Sequence, residues 1–293
     1  MRPENTPPSN IIEISLQPGV QPQIDAALAL RSSGLLEEAL RALDHSNEYN
    51  PYLYTVRGEL EFALGRFQDA ALSYFAVVQG EPDNADAHYN LALCLQRSDR
   101  WDASCQAFER ALALYAADDQ AHSDAARLGL GASLLYLNRL DEALSCFQQC
   151  SNAFQGPASF GKAVALQLLY RFGDAENAYE ALLVSDPNAE ETLSNLIALA
   201  VETRSLDRVR DYSQRLLKIS PQSPAALQGL ATVALELGNH HAAARYCDRI
   251  VQLMPDCLEG WHNLRVALNR ILAAFTTPKP LAVGPHMAGQ EVK

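Results

Sequence analysis

The run Gly156-Pro157-Ala158-Ser159-Phe160-Gly161-Lys162 has the glycine and lysine spacing of a phosphate-binding loop. In such a loop backbone N–H groups cradle phosphate oxygens, the lysine offsets their charge, and a closing Ser or Thr holds magnesium. The closing position here is Ala163, which has no ligand oxygen. The run also lies within apolar spacing of helical type, where the loop needs a strand before it, so no nucleotide site is expected. Gly129-Leu130-Gly131 has two of the three glycines of a dinucleotide turn, without the third and without a strand; close helix packing is its expected use.

Cys146 and Cys150 stand four apart, a spacing that puts two thiols on one helix face. Structural zinc wants four ligands, and no second Cys or His pair falls at finger-like spacing. These thiols read as buried packing, as do Cys94, Cys105, Cys247 and Cys257, and neither a metal nor a cofactor is expected. His240 and His241 lie beside Asn239 with no carboxylate or nucleophile at motif spacing, and read as a solvated turn. No Ser, His and Asp set stands out, so the chain is not expected to be an enzyme. Arg204, Arg208 and Arg215 share one helix face and would offer a positive strip to an acidic partner. With Asp207 and Asp211 interleaved, internal pairing on a solvated face is the expected use.

All of these residues belong to one pattern that recurs about every thirty-four residues. First positions fall at Pro51, Ala85, Asp124, Gly156, Glu190, Pro224 and Leu258, and a weaker copy begins near Val20. Position eight is mostly small, as Gly58, Ala92, Gly131, Ala163 and Ala231, and so is position twenty, as Ala70, Ser104, Ala143, Ala175 and Ala243. Larger apolar residues stand at positions eleven, seventeen and twenty-four, such as Leu95, Trp101 and Phe108, or Leu166, Phe172 and Tyr179. That spacing predicts two amphipathic helices per copy. Position fifteen, read as Gly34, Gly65, Asp99, Asn138, Tyr170, Arg204 and Gly238, marks the turn between them. Pro82, Pro187, Pro221 and Pro255 at position thirty-two close the second helix.

The pattern resembles the tetratricopeptide repeat family over roughly Val20 to Phe275, most clearly in Gly238, Ala243 and Pro255 followed by Trp261-His262-Asn263-Leu264. The resemblance implies an all-α fold, an α-solenoid in which antiparallel helix pairs wind into a right-handed superhelix. Seven pairs and a terminal helix from Leu258 to about Phe275 are expected, within one domain at 20–275 between disordered tails at 1–19 and 276–293. Asp119 to Ser123 are an insertion between copies. Arg57 and Glu61 stand at positions usually buried in the family, so a local register shift or rotation of that helix is expected. Arg265, Asn269 and Arg270 suit a polar cap on the last helix.

With 48 % hydrophobic residues among 293, a large shared core can form. Met1 to Gln17 has no apolar core of signal-peptide length, and no apolar run suits a membrane span, making the cytoplasm the expected compartment. Of the net charge of -12, the front half carries most: residues 1–155 hold ten Lys and Arg against twenty-one Asp and Glu. That balance disfavours nucleic acid and would steer a basic partner to the acidic half.

In the family resembled, the concave groove is lined by first helices at positions two, five, six, nine, twelve and thirteen. Carried onto this chain, the groove centre is Leu128, Leu135, Tyr136, Phe160, Val164 and Leu168, flanked by Tyr89 and Arg97. Asn90 and Asn195 at position six would hold the main chain of a bound peptide, since an amide both donates and accepts. The groove lacks the Lys and Arg set with which relatives grip chaperone carboxylate ends: Thr55, Tyr89, Ala125, Leu128 and Gly129 stand there instead. The implied function is a protein-binding adaptor that takes a peptide or protein segment. The alternatives are a recruiting subunit for a separate enzyme such as a transferase, or a self-assembling homo-oligomer.

Overall fold

The computed structural model describes residues 20–44, 49–116, 118–151 and 154–276. Fifteen helices and no strand are found among the described residues. In chain order, first and second helices of successive copies are α1 (Gln21–Ser32) and α2 (Leu36–Ala42), α3 (Pro51–Ala63) and α4 (Phe67–Gly80), α5 (Ala85–Arg97) and α6 (Trp101–Leu114). They continue as α7 (Gln120–Tyr136) and α8 (Leu140–Gln148), α9 (Gln155–Leu168) and α10 (Phe172–Ser185), α11 (Glu190–Glu202) and α12 (Leu206–Ile219), α13 (Pro224–Glu236) and α14 (His240–Leu253). Helix α15 (Leu258–Thr276) comes last. The chain divides into two compact units, Met1–Tyr170 with α1 to α9 and Arg171–Lys293 with α10 to α15. Within each unit every helix packs on its neighbour in sequence, which makes the chain an all-α solenoid. The tails at 1–19 and 276–293 lie outside the described residues, apart from Thr276 at the end of α15.

The turn position behaves alike in all seven pairs. Gly34, Gly65, Asp99, Asn138, Tyr170, Arg204 and Gly238 all have positive φ, between 55° and 78°. The next backbone N–H then reaches back five residues, as in Arg66 N to Glu61 O at 2.8 Å and Arg139 N to Leu134 O at 2.9 Å. This closure satisfies helix-end carbonyls that would otherwise be left bare. Second helices stop two residues before each repeat proline: α4 ends at Gly80 before Pro82, and α14 at Leu253 before Pro255. The residue between is pushed out of helical geometry, with ψ of 74° at Glu81 and 80° at Met254, because the proline ring crowds it.

Close approach explains the small positions. Ala70, Ser104, Ala143, Ala175, Val209 and Ala243 at position twenty are fully buried. At position eight, a Cβ on Gly58 would meet the Tyr74 ring at 2.8 Å and one on Gly131 the Phe147 ring at 2.7 Å. The aromatic residue at position twenty-four thus lies directly on the small residue at position eight, a contact that side chains of ordinary size would block.

The inserted residues Asp119 to Ser123 open α7: Asp119 caps it, accepting from His122 N at 3.4 Å, and 120–123 form its first turn. The following α8 is correspondingly short and has no closing proline. Asp124, fully buried, bridges the two ends by accepting from Ser151 N at 2.9 Å, Gln120 Nε2 at 2.7 Å and Arg127 Nη1 at 2.9 Å. Two sequence expectations, on α3 and α15, need correction. Helix α3 keeps its register: Val56, Gly58 and Leu60 are buried, Glu61 is buried against Ser73 Oγ at 2.7 Å, and Arg57 turns away to Leu43 O at 3.0 Å. Finally, α15 is a polar cap only in part, since Leu258, Trp261 and Leu268 are exposed beside Arg265, Asn269 and Arg270.

Candidate functional site

In the first unit the residues expected to form a groove stand on three first helices: Tyr89, Asn90 and Arg97 on α5, Leu128, Leu135 and Tyr136 on α7, and Phe160, Val164 and Leu168 on α9. Residues two apart on a helix lie about 200° around it. On α5 the set 86, 90, 93 and 97 therefore faces away from the stripe of His88, Leu91, Leu95 and Ser98.

Two of these residues are engaged by the preceding copy. The Tyr136 ring stacks on Trp101, the first residue of α6, with centroids 3.9 Å apart. One copy earlier the Arg97 guanidinium lies over Phe67, the first residue of α4, at 5.6 Å. Position thirteen thus covers the aromatic at position seventeen of the copy before it. Both side chains stay exposed beside these contacts, Tyr136 at 71 %.

Others are partly committed to the core. Tyr89, Leu128 and Leu135 are half-buried and pack on the central apolar cluster of the first unit, with Tyr89 edge-on to Phe108 at 5.7 Å. Burial also raises the Tyr89 phenol above its ordinary pKa. Gln96, at groove position twelve, donates to Gly129 O at 3.1 Å and Ser133 Oγ at 3.0 Å. In the second unit Asn195 hydrogen-bonds with the buried Tyr179 hydroxyl.

Asn90 and the α9 stripe remain. Asn90 is half-buried, makes no side-chain hydrogen bond among the described residues, and lines a notch of about 200 Å³ with Tyr52, Thr55, Glu81 and Asp86. Phe160 and Val164 are half-buried and Leu168 is exposed, four apart on α9, while Ala158, Ala163, Ala165 and Leu166 form its core face. Helix α9 therefore carries a second apolar stripe beside its core face, half-buried at Phe160 and Val164 and exposed at Leu168.

The motifs that suggested chemistry are accounted for by packing. The phosphate-loop-like run is helical within α9, and the Phe147 ring lies between Gly161 and Gly131, 2.6 and 2.7 Å from where their Cβ atoms would be. Gly129 likewise seats Phe108. Cys146 is half-buried on α8 and Cys150 half-buried just beyond it, not fully buried as expected, and the Cys150 thiol points to Cys146 O at 3.5 Å. Burial pushes the Cys105 and Cys146 thiols up to about 11, against reactivity at neutral pH. Among the described residues no three His, Cys, Asp or Glu side chains are grouped to hold a metal. His240 opens α14 with its Nδ1 buried and unpartnered, so it is less solvated than expected. Arg208 pairs with Glu176 of α10, and Arg215 lies over Tyr212 at 5.9 Å, consistent with internal pairing.

A further cleft lies outside the groove reading, because it is on the other side of α5. It has a volume of about 970 Å³ and runs between α4 and α6, floored by Leu91 and Leu95. The signal for it was present in the sequence as exposed-type positions filled by Leu72 and Phe75 in an otherwise polar stripe of α4.

Comparison with known proteins agrees with this architecture. Residues 83–156 match a tetratricopeptide repeat family model. No curated protein matches the chain. Among solved structures, it is similar to a tetratricopeptide repeat protein from Parabacteroides merdae at 15 % identity, covering 86 % of this chain and 100 % of that one, with a TM-score of 0.66. It is also similar to PilW, described as a widely conserved type IV pilus biogenesis factor, at 18 % identity, 74 % and 98 % coverage and a TM-score of 0.62. A third similar structure is YrrB, described as a tetratricopeptide repeat protein with an unusual peptide-binding site, at 16 % identity, 67 % and 99 % coverage and a TM-score of 0.50. Among the described residues no helix is long and apolar enough to cross a membrane. The repeated left-handed turn and the small-on-aromatic packing make the chain an α-solenoid of helix pairs, similar in fold to tetratricopeptide repeat proteins and matching their family model at 83–156.

Proposed function

We propose that the chain is a non-enzymatic adaptor that holds a segment of a partner protein against its first-helix face. The observation that carries this reading is the second apolar stripe of α9, where Leu168 is exposed and Phe160 and Val164 keep part of their surface accessible. A few apolar anchors inside a polar margin are how protein interfaces concentrate their binding energy. On α5, midway along the same unit, Asn90 supplies an uncommitted amide to peptide backbone. Glu81 and Asp86 beside it favour a basic residue of the partner at that point, in keeping with the acidic front half. That one similar protein is described as having a peptide-binding site adds an example on this fold.

The test is a comparative pull-down from source-cell lysate with wild type, Phe160→Glu with Val164→Glu, and Asn90→Ala, each checked for helicity. A prey lost with the α9 pair and weakened by Asn90→Ala supports the adaptor. Prey retained by both variants would refute the first-helix face as the binding surface.

A further inference from the structure

We propose that the outer cleft between α4 and α6 is a second docking site, taking an amphipathic protein segment whose apolar side chains rest on Leu72, Phe75 and Leu95 and whose carboxylate pairs with Arg100. Its shape comes from residue size. Ala71 on α4 and Ala103 and Ala107 on α6 leave room above the Leu91 and Leu95 floor, while Leu72 and Phe75 stand 69 % and 52 % exposed at the rim. The cleft is on the opposite side of α5 from Asn90 and is independent of the first-helix face.

Charge states what would cover it. The lining includes Arg100, Arg110 and His88 and no Asp or Glu, on a half-chain with twice as many acidic as basic residues. Arg110 is held by Asp83 at 2.9 Å and the His88 ring by Pro82 O at 3.0 Å. Arg100 makes no side-chain hydrogen bond or ion pair among the described residues, although the equivalent arginines do. Four successive copies carry arginine at position sixteen: Arg66, Arg100, Arg139 and Arg171. Arg66 pairs at 2.8 Å with Glu37, at position eighteen of the copy before. Arg139 and Arg171 pair at 2.6 and 2.7 Å with Glu142 and Asp174, three residues on. For Arg100 those two places are Gln68 and Ala103, and both line the cleft. The carboxylate is missing from the chain where a partner would bring one, and a guanidinium fork suits that group.

The probe is a phage-displayed library of random peptides, roughly sixteen residues or four helical turns long. It is selected on the full chain and counter-selected on the Arg100→Glu variant. The expected result is enrichment of clones with Asp or Glu among Leu, Phe or Trp at helical spacing. As synthetic peptides these should weaken by about tenfold or more with Arg100→Glu and with Leu72→Gln, and be unchanged by Phe160→Glu. Circular dichroism on each of the three variants confirms the fold; Arg100 and Leu72 are at the surface and Phe160 is half-buried. Failure to recover any Arg100-dependent clone overturns the proposal, as does recovery of clones without acidic residues. Clones lost with Phe160→Glu but not with Leu72→Gln would place binding on the first-helix face and also overturn it.

Discussion

The rings of Trp101 and Tyr136 lie face to face, 3.9 Å between centroids and 5° from parallel, and join the start of α6 to the end of α7. The pair is separated by one copy of the repeat, and its counterpart in the copy before is Phe67 with Arg97. In these two copies the aromatic at the start of the second helix is covered by the residue at the end of the next first helix.

Tyr136→Ala should lower stability by about 1 kcal/mol, the usual worth of an aromatic pair beyond its burial. Trp101 is one of two tryptophans in the chain, so loss of the covering ring should also shift native tryptophan emission to the red. Urea melts and emission spectra of the variant check both. An unchanged spectrum would mean that the stack does not persist in solution.

Two glycines of the same motif should respond in opposite ways. Gly161→Ala forces the Phe147 ring to move, at a cost of about 1–3 kcal/mol for overpacking. Gly156→Ala meets nothing within 4 Å and should be neutral or stabilising by about 0.5 kcal/mol. Thermal melts of both decide it, and equal loss in the two would revive a loop-like role for the run.

Asp124→Ala should destabilise the first unit by about 2–3 kcal/mol, since it removes charge-assisted hydrogen bonds from a buried site. Burial raises the Asp124 pKa, but hydrogen bonds from Ser151, Gln120 and Arg127 outweigh it, and the net value is below that of an ordinary carboxyl. A lowered folded pKa adds stability above the unfolded pKa that is lost as pH falls through the folded one. The difference between wild type and variant should therefore narrow below about pH 4. Denaturant melts across that range measure it, with hydrogen exchange at Ser151 as the local readout.

Glu61 has the opposite sign. Burial raises its pKa, with Ser73 and Arg57 offsetting only part of the effect. The folded state then holds its proton more tightly, and stability declines as pH rises from the unfolded pKa to the folded one. Glu61→Gln keeps an acceptor for Ser73 Oγ and should be more stable than wild type at neutral pH, the two converging in acid. A variant less stable than wild type at pH 7 would show that the ionised carboxylate is well solvated.

What could be read in the one-dimensional chain was everything governed by local rules. The thirty-four-residue period, the turn at position fifteen, the helix stops before Pro82 and Pro255 and the small residues at positions eight and twenty each depend on backbone sterics or on a neighbour at fixed repeat spacing. The same locality explains why Gly129 and Gly131 were legible as packing residues. What depended on tertiary structure was the use of half-exposed side chains. Tyr136 stacks on Trp101, Arg97 lies over Phe67, Asn195 bonds with Tyr179 and Gln96 with Ser133, all contacts between different helices. Stacking also turned 120–123 into a helical turn, because the buried Asp124 needed Ser151 as its partner. A repeat pattern states which face of a helix is apolar; it is the approach of the neighbouring helices that decides which of those residues, and which unpaired Arg100, are left for another molecule.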